Sequence, residues 1–257
     1  MKQVIYNELT FSQFENLGRE SKIQHVITQR AGNNGSEFSL SLSSLPDKSI
    51  IETNRTMLCA ALKIDSRKLF LPSQIHGTRA VEVTSATSRE DLLETDALMT
   101  SEPGICIGVM SADCVPVLIF DKRNRAVAAI HAGWRGTVKR IVGKTLQRMS
   151  EVFGTRGEDV IAGIGPSAGP QVYEVGAEVI ENFSRSLGDH GDLLTPTRPG
   201  HALLDLWAAN RLQLLEFGVD ETAIETSGIC TITNNDKFFS ARKGDKGRFA
   251  AVIMIRS

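Results

Sequence analysis

Cysteine and histidine are scarce in this chain. Its 257 residues hold four cysteines, Cys59, Cys106, Cys114 and Cys230, and five histidines, His25, His76, His131, His190 and His201. No CxxC pair occurs, which excludes a finger-type zinc site and a disulfide framework and makes reduced thiols the expectation. Five imidazoles are too few for a trinuclear copper cluster plus a type 1 copper site. Charge of one sign is also lacking: 29 basic and 30 acidic residues leave a net charge of -1, so no general field draws nucleic acid or an anionic membrane, and any phosphate recognition must be local. No apolar run approaches the roughly 20 residues of a membrane span. The opening Met1-Lys2-Gln3-Val4-Ile5-Tyr6-Asn7-Glu8 lacks a signal-peptide apolar core, which places the protein in the cytoplasm.

What is present is enough apolar sequence for a sizeable core, with no low-complexity tract or internal repeat. Residues 24–28, 69–71, 80–83, 160–164, 224–226 and 249–255 read as strands. Two further apolar runs surround Cys114, and a third ends at His131. Helical spacing appears over 49–62, with Ile50, Ile51, Met57, Leu58 and Leu62 inward. It recurs after Gly136 through Val138, Ile141, Val142, Thr145, Met149 and Val152, then over 176–187, and through Leu203, Leu206, Trp207, Leu214 and Phe217. Residues 188–200 read as a surface connection. The mixture predicts a sheet-centred α/β or α+β domain with helices outside.

Three segments set a metal-capable side chain among small residues at a strand end: Gln74-Ile75-His76-Gly77, Ser111-Ala112-Asp113-Cys114 and His131-Ala132-Gly133-Trp134-Arg135-Gly136-Thr137. A histidine closing the buried run 126–130, followed by two glycines, is costly to keep for packing alone. One thiol and two imidazoles form a borderline-soft set that suits zinc and leaves a fourth position open. The helix expected after Gly136 would point its first amides at an anion near His131. Each residue also has a plainer reading: His76 as a turn residue, Cys114 as a small buried hydrophobe, His131 as a strand cap, Arg135 as a surface cation, Asp113 as a turn cap. The repetition of one design at three places favours the metal.

The same atoms allow other chemistry. Cys114 and His131 can act as a metal-free nucleophile and base, with Asp113 or another polar group orienting the imidazole. His76, His131 and Cys114 with a distant Met110 or Met99 would approach a blue-copper set. A non-enzymatic metal-binding module would complete the metal with a fourth protein ligand such as Cys106, Cys230 or Glu174.

These segments, together with Thr95-Asp96-Ala97-Leu98, Gly163-Ile164-Gly165-Pro166-Ser167 and Phe238-Phe239-Ser240, resemble the peptidoglycan editing factor family, also called laccase-domain or multicopper polyphenol oxidase-like proteins. The resemblance runs from about Gln29 to Arg248 and implies one domain over residues 1–257. It implies a layered α-β-β-α sandwich with mixed sheets, similar to Cys–His deamidating toxins. It further implies one catalytic zinc on His76, Cys114 and His131, with copper a less favoured occupant. The implied activities are phosphorolysis of adenosine, inosine and methylthioadenosine, and deamination of adenosine; the implied partners are purine nucleoside and phosphate. Asn54-Arg55 matches an Asn-Arg pair whose arginine helps hold phosphate. Arg135 is expected as a substrate contact and Asp113 as an acceptor that orients a ligand. The family's other name implies an alternative, an amidase that removes misplaced serine from a UDP-muramoyl cell-wall precursor. The chain departs from the family pattern at Ser41, at Gln171 in a loop that often carries cysteine, and at Ala241 and Lys243. Those changes leave the triad intact and bear on the shape of the substrate pocket.

Overall fold

The computed structural model describes all residues except 33–34, 43–46 and 188–192. His190 and the start of the expected 188–200 connection lie outside the described residues.

Two mixed six-stranded sheets carry the fold. The first contains β1 (Lys2–Tyr6), β2 (Leu9–Gln13), β3 (Ile23–Thr28), β4 (Leu69–Phe70), β7 (Cys106–Ser111) and β15 (Phe249–Ile255), in the order β1-β2-β3-β15-β7-β4. The second contains β5 (Ala80–Glu82), β6 (Ala97–Thr100), β8 (Val115–Asp121), β9 (Ala126–Ala132), β10 (Val160–Ile164) and β14 (Ile224–Thr226), in the order β14-β10-β8-β9-β6-β5. Neighbours are antiparallel except β4 with β7, β10 with β14 and β5 with β6. A small antiparallel sheet, β11 (Glu174–Gly176), β12 (Leu194–Pro196) and β13 (His201–Leu204), stands beside them. The helices are α1 (Glu15–Gly18), α2 (Lys48–Leu62), α3 (Trp134–Val138), α4 (Ile141–Phe153), α5 (Ala177–Leu187) and α6 (Leu206–Glu216).

Side-chain alternation explains the layering. Along β8 and β9, Leu118, Phe120, Val127 and Ala129 meet Ile107, Val109, Ala251 and Ile253 of the first sheet. The alternate residues, Val115, Val117, Ala128 and Ile130, pack against α4, α5 and α6. On the outer face of the first sheet, Val26, Val252 and Met254 receive Leu58, Ala61 and Leu62 of α2. The result is the expected α-β-β-α sandwich. Strands buried on both faces read as continuous apolar runs, which is why they stand out in the sequence.

Several elements differ from expectation. The helix after His131 is broken: α3 ends at Val138, Arg140 takes a left-handed φ of 65°, and α4 starts at Ile141. Gln213 of α6 spans the break, donating to the Thr137 carbonyl and accepting from Gly143 N. The amphipathic helix therefore begins well past the site, and no long helix aims its first turn at His131. Leu203 belongs to β13 and not to a helix. Ile50 is exposed, because α2 turns Ile51, Asn54 and Leu58 inward. Among the described residues no helix is long and apolar enough to cross a membrane.

Candidate active site

The ends of β7 and β9 and the starts of β8 and β6 meet at one end of the sandwich, since Val115 of β8 pairs with Ala132 of β9 and Ala97 of β6 pairs with Ile130. His131 follows the alternation of Val127 and Ala129, so its ring enters the space between the sheets. The loop between β4 and β5 brings His76, and the β7–β8 turn brings Cys114. Ligand atoms of His76, Cys114 and His131 all lie within 4.8 Å of one another, and the two imidazole rings sit edge to face at 4.9 Å. The three residues can hold a metal ion. Among the described residues Cys106, Cys230 and Glu174 do not join the group. Met99 faces the helix-side core, and Met110 lines the neighbouring cleft.

One fully buried carboxylate ties this group together. Asp96 Oδ1 lies 2.8 Å from His131 Nδ1 and accepts from His76 N at 2.9 Å; Oδ2 accepts from Gly77 N at 2.7 Å and Ile75 N at 3.2 Å. Three successive amides thus clasp one carboxylate, an arrangement that holds His76 at its left-handed φ of 62°. Burial pushes the Asp96 pKa up, but the His131 hydrogen bond, the Gly77 and Ile75 amides and the His131 charge outweigh it and bring it below the usual value. Gln74 fastens the same loop to β7, donating to the Met110 carbonyl and accepting from Met110 N, both at 2.8 Å.

The glycines are steric requirements. A Cβ on Gly133 would stand 2.7 Å from Cys114 Sγ and 3.0 Å from His76 Cδ2. A Cβ on Gly136 would stand 3.1 Å from the Gly77 carbonyl oxygen. The two glycines around Trp134-Arg135 let three loops close on one point.

Burial pushes the Cys114 thiol up, but the charge of His131 and hydrogen bonds from both imidazoles bring it well below the ordinary thiol range. His131 moves the other way: burial lowers it, and Cys114 and Asp96 together raise it. Each group thus favours the ionised form of the other, thiolate for Cys114 and imidazolium for His131.

The other expected residues divide. Arg55 lines the same 850 Å³ cleft as the triad, its Nε and Nη2 donating to the Leu40 carbonyl at 2.9 and 2.8 Å. Asp113 touches neither imidazole. Its carboxylate accepts from Thr231 Oγ1 at 2.6 Å and Arg242 N at 3.0 Å, which anchors the C-terminal loop. The acceptor that orients His131 is Asp96. Arg135 is exposed, stacks over the Trp134 ring at 4.3 Å and lines neither cavity beside the triad. Trp134 is half-buried against the helix-side core. The motif Thr95-Asp96-Ala97-Leu98 contains Asp96 but gives it no role in the sequence; the available signal is a carboxylate just before the apolar run Ala97-Leu98-Met99.

Residues 24–256 match the family described as multi-copper polyphenol oxidoreductase laccase. The chain belongs to that family. Within it, a purine nucleoside phosphorylase of Bacteroides thetaiotaomicron is 41% identical over 256 residues, covering 94% of this chain and 95% of the relative. Adenosine deaminase RL5 from an unknown prokaryote is 36% identical over 197 residues, covering 74% and 75%. The crystal structure of YlmD from Geobacillus stearothermophilus superposes with a TM-score of 0.88 at 27% identity, covering 99% of this chain and 98% of that one. Laccase-family relatives of this chain thus carry enzyme names in purine nucleoside chemistry.

Proposed function

We propose that the chain is a zinc-dependent purine nucleoside enzyme, which phosphorolyses adenosine, inosine and methylthioadenosine and deaminates adenosine in the cytoplasm. The observation that carries this reading is that His76, Cys114 and His131 converge on the wall of a cleft that also holds Arg55. One sulfur and two nitrogens suit zinc, and a spread of up to 4.8 Å needs only a small inward movement to meet bonds of about 2.0–2.3 Å. When bound, the ion supplies a Lewis acid next to the substrate.

The chain's own residues do the rest. Asp96 keeps a proton on His131 Nδ1 and so leaves Nε2 for ligation. In phosphorolysis the bond from the anomeric carbon to the base nitrogen breaks and one to a phosphate oxygen forms. Arg55 balances the phosphate charge, and its carbonyl anchor fixes the guanidinium in place. In deamination water replaces the C6 amino group of adenosine and ammonia leaves.

A second reading has its own support. Cys114, His131 and Asp96 form a chain of nucleophile, base and orienting acid. Without metal, the thiolate would attack an amide carbonyl, His131 would protonate the departing amine, and water would hydrolyse the thioester. A serine-bearing UDP-muramoyl precursor is the substrate class for that reaction.

Three incubations of the purified protein separate these readings. Inosine with phosphate is expected to give hypoxanthine and ribose 1-phosphate, and adenosine to give inosine and ammonia. Free serine from the muramoyl nucleotide, with neither nucleoside reaction, would replace the first reading by the second.

A further inference from the structure

His76 and Cys114 face two cavities. One is the 850 Å³ cleft; the other is a 420 Å³ chamber that adjoins it, with Ala112 and Arg248 also lining both. The two spaces differ in chemistry.

The cleft carries Arg55, Arg67, Arg89 and Arg248, and no aspartate or glutamate among its described lining residues. The chain as a whole balances its charges, so this segregation is local. Arg67 is paired with Asp65; among the described residues no ion pair joins Arg55, Arg89 or Arg248 to a carboxylate. Arg55 ends on the Leu40 carbonyl, and Arg248 on the carbonyls of Asp245, Lys246 and Gly247. Among the described residues the Arg89 side chain makes no hydrogen bond or ion pair. Burial, and then the charge of Arg89, hold the Arg55 pKa below its usual value. Facing like charges on a partly buried wall repel, and a dianion between them removes that cost.

The chamber has Tyr173, Leu206, Ala112 and Ala241 on its walls. Arg242 lies over the Tyr173 ring at 4.9 Å, with Nη2 on the Glu174 carbonyl at 3.2 Å and its backbone N on Asp113. An aromatic ring and an anchored planar guanidinium suit a flat heteroaromatic ring, because bases stack on aromatic side chains and arginine planes.

We propose that the two reactants are divided between these spaces: phosphate between Arg55 and Arg89 in the cleft, the purine base in the Tyr173–Arg242 chamber, and the sugar at the neck beside His76 and Cys114. This rests on the nucleoside reading. Phosphorolysis needs phosphate and base held on the same sugar at once, and two adjoining cavities that share His76 and Cys114 offer one space for each. The base leaves with the electron pair of the broken bond and takes a proton from solvent.

Calorimetric titration of the metal-loaded protein with inorganic phosphate, with hypoxanthine, and with each in the presence of the other tests the division. Both ligands are expected to bind together. Arg89→Ala should weaken phosphate by about tenfold or more and leave hypoxanthine within about twofold; Tyr173→Leu should do the reverse. Arg89 is exposed, so its loss spares the fold, and Tyr173→Phe, which keeps the ring, should retain the base. Mutual exclusion of the two ligands, equal losses of both in both variants, or failure of either ligand to bind overturns the division. The nucleoside reading fails separately: two-ligand binding without release of hypoxanthine from inosine would refute that reading and leave the two sites standing.

Discussion

His25 and His131 both turn inward between the two sheets, at 1% and 4% exposure, yet their pKa values move in opposite directions. His25 Nε2 accepts from Phe14 N at 3.0 Å, and its ring stacks on Phe14. Burial, helped by Lys2, lowers its pKa to about 4, so it is neutral. His131 meets an ionised carboxylate and a thiol, and its pKa rises. Cys106 at the start of β7 and Cys114 in the turn after it repeat the contrast: burial among apolar side chains pushes the Cys106 thiol far up, whereas Cys114 is brought down. Burial alone makes an imidazole or thiol inert; buried ionised partners make it reactive.

The largest expected effect comes from removing the reactive thiol. Cys114→Ala should lose stoichiometric zinc and drop nucleoside turnover on the order of a thousandfold or more. Cys106→Ala should keep both, measured by metal analysis and steady-state kinetics. Retained zinc and turnover in Cys114→Ala would erase the difference between the two cysteines.

His25 gives the next. The unfolded chain takes up a proton near pH 6.5, but the native His25 does so only near 4, so its contribution is complete above 6.5 and is lost as pH falls through that window. Urea unfolding should show the wild type losing about 3 kcal/mol more than His25→Gln between those limits. Equal slopes would mean that His25 is not held neutral.

Asp96→Asn should weaken zinc about 10- to 100-fold by chelator competition and shift the visible spectrum of the cobalt-substituted protein. Unchanged affinity and spectrum would show that His131 needs no carboxylate. The smallest effect is expected at Arg135: Arg135→Ala should change turnover by less than about twofold, as for most exposed positions.

Particular residues show what the sequence makes legible. Val115 to Phe120 and Ala126 to Ile130 announce themselves because both faces of their strands are buried. The triad announces itself because histidine and cysteine are rare and stand beside glycine. Asp96 does not, because its role depends on β6 pairing with β9, which no local spacing encodes. Arg135 misleads for the same reason: adjacency to His131 in sequence does not survive the turn into α3. The break at Arg140 depends on Gln213, far along the chain, and the small β11–β13–β12 sheet is assembled from short segments without clear alternation.

If His76, Cys114 and His131 work as a metal site, turnover must depend on the ion. Adding zinc stepwise to metal-stripped protein while following hypoxanthine release from inosine and phosphate tests it most directly. Activity should be absent at the start and rise to a plateau at one zinc per chain. Full activity in the stripped protein, unchanged by zinc, would contradict the account and leave Cys114 and His131 as a metal-free catalytic pair.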